Sequence, residues 1–313
     1  MRHSLYWDNF KERSELTAVS LKSESPVDVK RVAVFVTDKC NLLCDYCNHV
    51  VNGNQMSEEV FDSIVKQNPN AIIHITGGEP SVVKWLYPYL EKNADKYQFH
   101  LNTNAVITPP FAAVKRLKIS LDSCDPVYWD SLVGVPGTFD KVVKNIKKSI
   151  PHSVVSITYT ITKENYRHVP EFIDFVNKEF PGLYATFFSV YKGSNKRFAM
   201  TDEDVKVFFE CIKPYMLEHL DTESKALFEE TIDEKFRLMQ TVRFPENDLS
   251  KPCYLSLSER VYKWDGTMSA CSHLYRDGIM NTPGEKHKAC LYGCNRRLVD
   301  FNLEVENILE NLK

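Results

Sequence analysis

Short apolar runs alternate with longer amphipathic stretches along the first 190 or so residues of the chain. The apolar runs are continuous and rich in β-branched residues, which is typical of strands buried on both faces of a parallel sheet. They predict strands at residues 32–36, 71–76, 98–102, 117–121, 154–160 and 184–190. Between them, apolar residues recur at helical spacing. This spacing predicts helices at residues 57–67, 82–94, 138–149 and 165–179.

The regular alternation of strand and helix predicts an α/β fold with a parallel sheet and right-handed crossovers. Ser57 and Thr138 stand where N-caps are expected, because their hydroxyls accept hydrogen bonds from the first free amides of a helix. Beyond residue 191 the pattern changes to two charged amphipathic stretches, at residues 201–220 and 222–239. These stretches predict helices that cover the sheet.

A segment rich in Pro, Asn and Asp at residues 244–252 marks the best candidate boundary of the chain. After it, two strand patterns at residues 254–262 and 267–270 are joined through Asp265 and Gly266, a pair typical of a hairpin turn. A last helix is expected at residues 298–312. The predicted divisions are an N-terminal extension at residues 1–30, a barrel at 31–192, a helical cover and linker at 193–251, and a C-terminal module at 252–313.

The composition excludes several classes of protein. The chain has 313 residues, is 43% hydrophobic, and carries 39 Lys and Arg against 42 Asp and Glu, which excludes disordered and collagen-like chains. A formal net charge of -3 argues against a nucleic-acid partner. No apolar run approaches the roughly 20 residues of a membrane span, and residues 1–10 lack the apolar core of an export signal. We therefore expect a soluble, cytoplasmic protein in a reducing compartment.

Nine cysteines in such a compartment are better explained by metal ligation than by disulfides. Cys40, Cys44 and Cys47 have the spacing C-x3-C-x2-C. Thiolates are soft ligands that hold iron–sulfur clusters, and three of them on a four-iron cube would leave one iron open. A zinc knuckle, or three buried cysteines acting as small hydrophobic residues, is the alternative.

The surroundings of these cysteines resemble the radical S-adenosylmethionine (radical SAM) enzymes. The cysteine loop follows the first predicted strand directly, and Tyr46 supplies the aromatic residue of the signature C-x3-C-x-aromatic-C. The second predicted strand ends in Gly77-Gly78-Glu79-Pro80, which matches the family's GGEP motif. The resemblance runs from about residue 32 to residue 294 and implies a partial (β/α)6 barrel.

The resemblance also implies the chemistry. The open iron of a [4Fe–4S] cluster binds S-adenosylmethionine (SAM) through its amino and carboxylate groups. An electron, delivered by a flavodoxin- or ferredoxin-type donor, then cleaves SAM to a 5′-deoxyadenosyl radical. That radical abstracts a hydrogen atom from a substrate at the barrel mouth, where the loops after the strands converge.

The SAM-binding residues carried over from the family lie after the strands. Gly77 and Gly78 match the motif that holds the methionyl ammonium, with an ordinary turn as the alternative, and Glu79 adds charge there or is simply solvated. Tyr46 is expected near the adenine or in a packing role. The remaining candidates, for which loop capping or core packing is the alternative, are Thr103, Asn104, Ser120, Asp122 and Ile161.

A second group of cysteines stands near the C-terminus. It has Gly266 between its first two members, an element that resembles the start of the SPASM and twitch modules of radical SAM enzymes. Four thiolates fit the shorter, twitch-like form with one auxiliary [4Fe–4S] cluster, or a structural zinc. Because every iron would be ligated, the implied role is electron transfer. The three-cysteine pattern of the molybdenum-cofactor cyclases, which leaves an iron open to a purine, is absent. The four residues are Cys253, Cys271, Cys290 and Cys294.

Two cysteines remain. Cys124 follows the fourth predicted strand, and it is a candidate hydrogen-atom donor of the kind used by radical SAM epimerases, with a bystander as the alternative. Cys211 lies among apolar residues and is expected in the core. The basic stretch at residues 192–197 is a candidate for binding a carboxylate or phosphate of the substrate, or a solvated loop.

Two substrate classes follow from the resemblance. One is a small polyol, aminosugar or nucleoside that is dehydrogenated or epimerised. The other is a ribosomal precursor peptide that is oxidised, cross-linked or epimerised, although only a short stretch precedes the first strand where such enzymes often carry a leader-binding domain. A different class, a zinc-binding interaction protein without enzymatic activity, stays open.

Overall fold

The computed structural model describes residues 10–24, 29–47, 51–239, 253–269, 271 and 296–312. At its centre is one sheet of eight strands. The strands are β1 (Arg31–Phe35), β2 (Ile72–Thr76), β3 (Gln98–Thr103), β4 (Arg116–Ser120), β5 (Val154–Ile161), β6 (Ala185–Val190), β7 (Glu259–Tyr262) and β8 (Met268–Ser269).

Strands β1 to β6 are parallel, and each pairs with the next one in the chain. The order across the sheet is β6-β5-β4-β3-β2-β1-β7-β8. All six predicted barrel strands are present, within a few residues of their expected ends, so the predicted α/β fold with a parallel sheet is confirmed.

The helices cover the sheet and connect its strands. None of those in the described residues is long and apolar enough to cross a membrane. They are α1 (Phe10–Lys22), α2 (Glu58–Gln67), α3 (Leu86–Asn93), α4 (Pro126–Val133), α5 (Phe139–Ser149), α6 (Val169–Glu179), α7 (Asp202–Val207), α8 (Lys213–His219), α9 (Thr222–Met239), α10 (Leu255–Ser258) and α11 (Arg296–Asn311).

The outer face of the sheet is apolar and forms the main core. Its side chains are fully buried against apolar residues of the crossover helices, which removes a large apolar area from water and provides the main driving force for folding. The inner face, in contrast, is largely polar. Representative outer-face residues are Val32, Ile73, Leu101, Ile119 and Ile157.

The C-terminal hairpin joins the barrel sheet instead of forming a separate one. β7 pairs in parallel with β1, with Arg31 opposite Glu259, and β8 returns antiparallel to β7. Gly266 has φ +82° in the connecting turn, as the Asp-Gly pair predicts. The expected first strand of this hairpin is shorter than predicted, because residues 255–258 form the helical turn α10.

The N-termini of α4 and α5 differ from the prediction, because in both helices an Asp carboxylate accepts the hydrogen bonds of the first amides. Ser57 caps α2 as predicted, its hydroxyl accepting from the amide of Val60. Thr138 precedes α5, but its side chain makes no capping bond. The Asp130 carboxylate instead accepts from the amides that open α5. Helix α4 was not predicted, although Asp125 and Pro126 at its start are a recognisable N-terminal signal.

The predicted helix at residues 201–220 is interrupted by a π-helical segment, Phe208–Ile212. The extra residue per turn rotates the following side chains around the helix axis. Cys211 lies within this segment and is exposed, so the prediction that it belongs to the core is wrong.

A buried ion cluster connects the amino ends of β1 and β7 to α1. Glu259 is buried, and one of its carboxylate oxygens lies 2.6 Å from Arg31 Nη1. The other oxygen lies 3.5 Å from Nη2 of Arg13, on α1. Burial alone would raise the pKa of Glu259, but the guanidinium groups of Arg31 and Arg13 lower it below its usual value.

We expect Glu259→Gln to lower the free energy of unfolding by about 2 kcal/mol, because two guanidinium groups then lose their counter-charge in a largely dry site. Urea titration at pH 7 measures this. Glu310→Gln, at an exposed position of α11, is the matched control and should change stability by less than about 0.5 kcal/mol.

The stabilisation that the Glu259 carboxylate provides depends on pH. Because the pKa of Glu259 is lower in the folded state, its stabilisation is complete above the usual value of 4.5 and is lost as the pH falls through the folded pKa. The difference between wild type and Glu259→Gln should be constant near neutral pH and shrink in acid. An equal loss in both glutamate variants would contradict the ion cluster.

Candidate functional site at the carboxyl edge of the sheet

The loops that carry the sequence motifs meet at one edge of the sheet. Since β1 to β5 are parallel, the residues that follow each strand lie at the same edge. The cysteine loop follows β1, the diglycine turn follows β2, and the candidate polar residues end β3 and β4. The fold therefore brings together motifs that are far apart in the chain.

The cysteine loop is fixed in place by the end of α4. The amides of Leu43 and Asp45 donate to the carbonyls of Val133 and Leu132 at 2.9 and 3.0 Å. Gly134 ends α4 with φ +69°, and a Cβ there would lie 3.0 Å from Cβ of Leu43. The loop thus packs so closely on α4 that the glycine is required.

The three thiols lie in one loop. Cys40 and Cys44 are half-buried and Cys47 is exposed. Burial, the Asp122 carboxylate and the other two thiols raise the pKa of Cys44 to about 12. Burial also raises the pKa of Cys40.

As a donor set, three neighbouring thiols fit an iron–sulfur cluster, which binds the deprotonated form. Within the described part of the chain, no three Cys, His, Asp or Glu side chains converge on a metal-sized site.

Gly77 and Gly78 allow the second motif to lie directly against the backbone of the cysteine loop. The amides of Gly78 and Glu79 donate to the carbonyls of Thr37 and Lys39, both at 2.8 Å. A Cβ on Gly77 would lie 2.4 Å from the Thr37 carbonyl oxygen, and one on Gly78 would lie 2.2 Å from that of Lys39. Both contacts are far too short, so the glycines are required by this backbone packing.

Glu79 is buried and binds the end of β3. One carboxylate oxygen accepts from Thr103 Oγ1 at 2.7 Å, and the other accepts from the amide of Asn104, also at 2.7 Å. The amide of Ser81 donates to it as well. Burial raises the pKa of Glu79, and these hydrogen bonds oppose the rise. The alternative that Glu79 is solvated is wrong, since both oxygens are used by the chain's own donors.

Asn104 extends this connection to the cysteine loop. Its side-chain amide donates to Oδ1 of Asn41 at 2.8 Å, and Asn41 is the residue next to Cys40. Glu79, Thr103 and Asn104 thus form a continuous hydrogen-bonded link between the diglycine turn, the end of β3 and the cysteine loop.

Tyr46 and Asp122 are also brought together. The Tyr46 hydroxyl donates to one Asp122 oxygen, and the amide of Thr160 donates to the other. Burial raises the pKa of Asp122 to about 6, although these two hydrogen bonds lower it. The Tyr46 ring packs edge-on against Phe198, with centroids 6.0 Å apart. Tyr46 therefore joins the cysteine loop to the ends of β4 and β5.

The other candidate residues differ in how far they are buried. Ser120 is half-buried at the end of β4, and Cys124 is half-buried just beyond it. The side chain of Ile161 is fully buried in the main core, which favours the packing alternative for it.

Cys253 and Cys271 lie at the opposite, amino edge of the sheet. Cys253 precedes β7 by a few residues, and Cys271 follows β8, which runs back toward the start of β7. Both pack against a small apolar cluster that includes Leu255 and Phe301. The Asn302 side-chain amide donates to Sγ of Cys253 at 3.8 Å. The remaining two members of the group, Cys290 and Cys294, lie outside the described residues.

Arg197 contributes a contact that the sequence motifs do not indicate. Its Nη1 lies 2.6 Å from the Asp45 carboxylate in the cysteine loop, and its Nε lies 2.6 Å from Glu164, which follows β5. The guanidinium also lies over the Phe198 ring. The arginine of the basic stretch at residues 192–197 therefore binds the chain's own carboxylates.

The match to known families agrees with this geometry. Residues 34–176 match the radical SAM superfamily. The probable GTP 3′,8-cyclase of Methanosarcina mazei is 28% identical over 170 residues, which are 47% of this chain and 51% of that protein. The GTP 3′,8-cyclase of Geobacter sulfurreducens is 39% identical over 107 residues, 28% of this chain and 32% of that protein. The chain thus spans about half the length, or less, of these relatives.

Solved structures share the fold at low identity. SuiB of Streptococcus suis superposes with a TM-score of 0.59 and 18% identity, covering 90% of this chain and 70% of SuiB. Native anSMEcpe with bound AdoMet gives 0.57 and 15%, covering 90% of this chain and 100% of that one. At this identity the solved structures show the fold alone. The match of residues 34–176 to the superfamily, together with the cysteine loop and the diglycine turn, identifies that part of the chain as a radical SAM domain.

Proposed function

We propose that this chain is an enzyme that binds a [4Fe–4S] cluster through Cys40, Cys44 and Cys47 and cleaves SAM reductively to abstract a hydrogen atom from a substrate. The observation that carries the proposal is the meeting of the three-cysteine loop and the diglycine turn at the carboxyl edge of the sheet. When bound, the cluster and SAM supply one-electron chemistry that reaches unactivated carbon atoms.

The chain's own part in this chemistry is to position these groups. Gly77 and Gly78 let the turn pack directly against the backbone of the cysteine loop, next to the place where the methionyl end of SAM would lie. Glu79 holds Thr103 and Asn104 in place at the next strand end. Asp122 holds Tyr46 over the same edge, where the adenine would lie. Ser120 is the proposed polar contact at the end of β4.

The exposed rim of the cysteine loop suits the proposed flavodoxin- or ferredoxin-type electron donor. Leu43 is 75% exposed, and Cys47, four residues later in the same loop, is exposed as well. An apolar side chain presented beside a cluster ligand offers a contact for a redox partner, whose interfaces are small.

We also propose that Cys253, Cys271, Cys290 and Cys294 hold an auxiliary [4Fe–4S] cluster that transfers electrons. The positions of Cys253 and Cys271 support it, because they lie at the amino edge of the sheet while the cysteine loop lies at the carboxyl edge. A substrate inside the barrel would lie between the two edges. Electron transfer to or from a substrate intermediate then allows net oxidation, or completes a redox-neutral epimerisation.

The named relatives and the solved structures point to two substrate classes. The sequence relatives are named for a reaction of the nucleotide GTP, whereas SuiB has been solved with the precursor peptide SuiA. We propose a small polyol, aminosugar or nucleoside, with a precursor peptide as the competing candidate. The C-terminal cysteine pattern departs from that of the cyclases, and we do not propose cyclase activity.

Metal analysis tests the clusters. Anaerobically purified protein should contain about eight iron and eight sulfide ions per chain, as two four-iron clusters require. The variant Cys40→Ala/Cys44→Ala/Cys47→Ala should retain about four of each and lose SAM cleavage, whereas Cys211→Ala, at an exposed cysteine outside both groups, should match wild type. Zinc without sulfide would instead identify a zinc-binding protein.

Gly78→Ala tests the diglycine turn. The new Cβ would press on the Lys39 carbonyl and push the turn away from the cysteine loop. We expect a loss of about 1 to 3 kcal/mol in stability and a rise of about tenfold or more in the dissociation constant for SAM, measured by equilibrium dialysis. Gly137→Ala is the control: its φ of +73° also makes the alanine variant less stable, but its Cβ would meet open space. It should keep wild-type SAM affinity, and unchanged affinity in Gly78→Ala would contradict the site.

Cys124→Ala tests the candidate hydrogen-atom donor. Burial raises the pKa of Cys124, so the thiol keeps its hydrogen at neutral pH. If Cys124 returns a hydrogen atom to the substrate, Cys124→Ala should still cleave SAM but give little epimerised product, and deuterium from solvent should no longer appear in it. Full product formation by the variant would remove Cys124 from the mechanism.

A further inference from the structure

The inner face of the sheet has a row of polar side chains that no motif assigns. Residues paired directly across neighbouring strands point to the same face. Asn102 of β3 pairs with Lys118 of β4, and Lys118 pairs with Ser156 of β5. One row nearer the amino edge, His100 pairs with Arg116. These residues therefore line the barrel interior below the proposed SAM site.

The accessibility of this inner face changes from one edge to the other. Toward the carboxyl edge its side chains are half-exposed, although the outer face is buried at the same level. Toward the amino edge, the inner-face residues His74, His100 and Arg116 are buried, and so is Ser156. The interior is thus more accessible at the proposed SAM site than at the level of His74, His100 and Arg116. The half-exposed residues are Thr76, Asn102, Lys118, Ser120, Thr158, Thr160, Phe187 and Ser189.

The inner face carries more positive than negative charge. Its basic strand residues are Arg31, Arg116 and Lys118, and among the described strand residues on this face the acidic one is Glu259. Glu259 already binds Arg31 at the amino edge. Lys118 lies in the half-exposed zone, with Nζ 4.7 Å from the centre of the Phe187 ring. This contact with the face of an aromatic ring holds the Lys118 ammonium group in the half-exposed zone.

Ser156 gives independent evidence for a ligand. It is fully buried, and its Oγ has no hydrogen-bond partner among the described residues. A buried hydroxyl without a partner is unfavourable, and a bound molecule or an ordered water completes the hydrogen bonding of such a group. Because Ser156 pairs directly with Lys118, the two side chains lie next to each other on the inner face of the sheet.

We propose that this row binds an oxyanion of the substrate, a phosphate or a carboxylate, inside the barrel. Lys118 supplies a charge-assisted hydrogen bond, Ser156 donates from its hydroxyl, and the Arg116 guanidinium adds positive charge from the row below. The rest of the substrate extends toward the carboxyl edge, where its hydrogen atom is abstracted. The inference rests on the proposed function and narrows it to phosphorylated or acidic small molecules, excluding neutral polyols.

Binding measurements with simple probes test the site without requiring the true substrate. Ribose 5-phosphate and gluconate are titrated by calorimetry into the anaerobic protein with SAM present, and ribose serves as the neutral control. We expect one of the two anions to bind and ribose not to bind. Tighter binding of ribose 5-phosphate assigns a phosphorylated substrate, and tighter binding of gluconate assigns a carboxylate. Failure of both anions to bind would overturn the proposal.

Two lysine variants test whether the anion binds at Lys118. Lys118→Met keeps most of the apolar stem of the side chain and should weaken anion binding by about tenfold or more. Lys115→Met removes the same charge at an exposed position just before β4 and should leave binding unchanged. Equal binding by wild type and Lys118→Met would overturn the proposal.

Ser156→Ala separates ligand binding from stability. Since the hydroxyl has no hydrogen-bond partner among the residues that the structure describes, the variant should be as stable as wild type in urea, but should bind the anion about threefold to tenfold more weakly. A marked loss of stability without ligand would show that the hydroxyl is structural and overturn its role. SAM cleavage, measured separately as 5′-deoxyadenosine, distinguishes failure of this site from failure of the proposed function.

Discussion

The arrangement of the candidate site depends on one close contact between two stretches of backbone. The diglycine turn after β2 lies against residues 37–39, at a separation that leaves no room for a Cβ, and is held there by two amide-to-carbonyl hydrogen bonds. The other contacts at the carboxyl edge extend from this one through hydrogen bonds. Glu79 accepts from the amide of Asn104 at the end of β3, and the Asn104 side chain donates to Asn41 in the cysteine loop. The Tyr46 hydroxyl connects the same loop to Asp122 after β4.

These hydrogen bonds explain how a loop without helix or strand of its own holds three thiols near one another. Amides of the loop donate to the end of α4, and Arg197 connects Asp45 to the segment after β5. A loop that is bound from several sides keeps its position at a small entropic cost when a ligand arrives. The same logic applies to the strand ends, whose polar groups are already oriented by partners within the chain.

Most of the barrel was predictable from sequence, because buried parallel strands and amphipathic helices have clear periodicities. The cysteine loop and the diglycine turn were predictable from their motifs. The close backbone packing that requires Gly77 and Gly78, the burial of Glu79 and the role of Arg197 were not, since each depends on contacts between residues far apart in the chain. The same holds for β7, a short strand whose pairing with β1 has no local signal. Cys211 was misplaced because a π-helical turn changes the period on which the prediction relied.

The pairing of β1 with β7 has a consequence for how the chain folds during synthesis. β1 carries the cysteine loop, yet one of its edges is completed by residues that leave the ribosome more than 200 residues later. Until then, β1 presents an unpaired edge of backbone amides and carbonyls, the kind of surface through which nascent chains associate wrongly. The edge of β1 is therefore covered only after β2 to β6 have been synthesised, and the segment that covers it also carries Cys253 and Cys271.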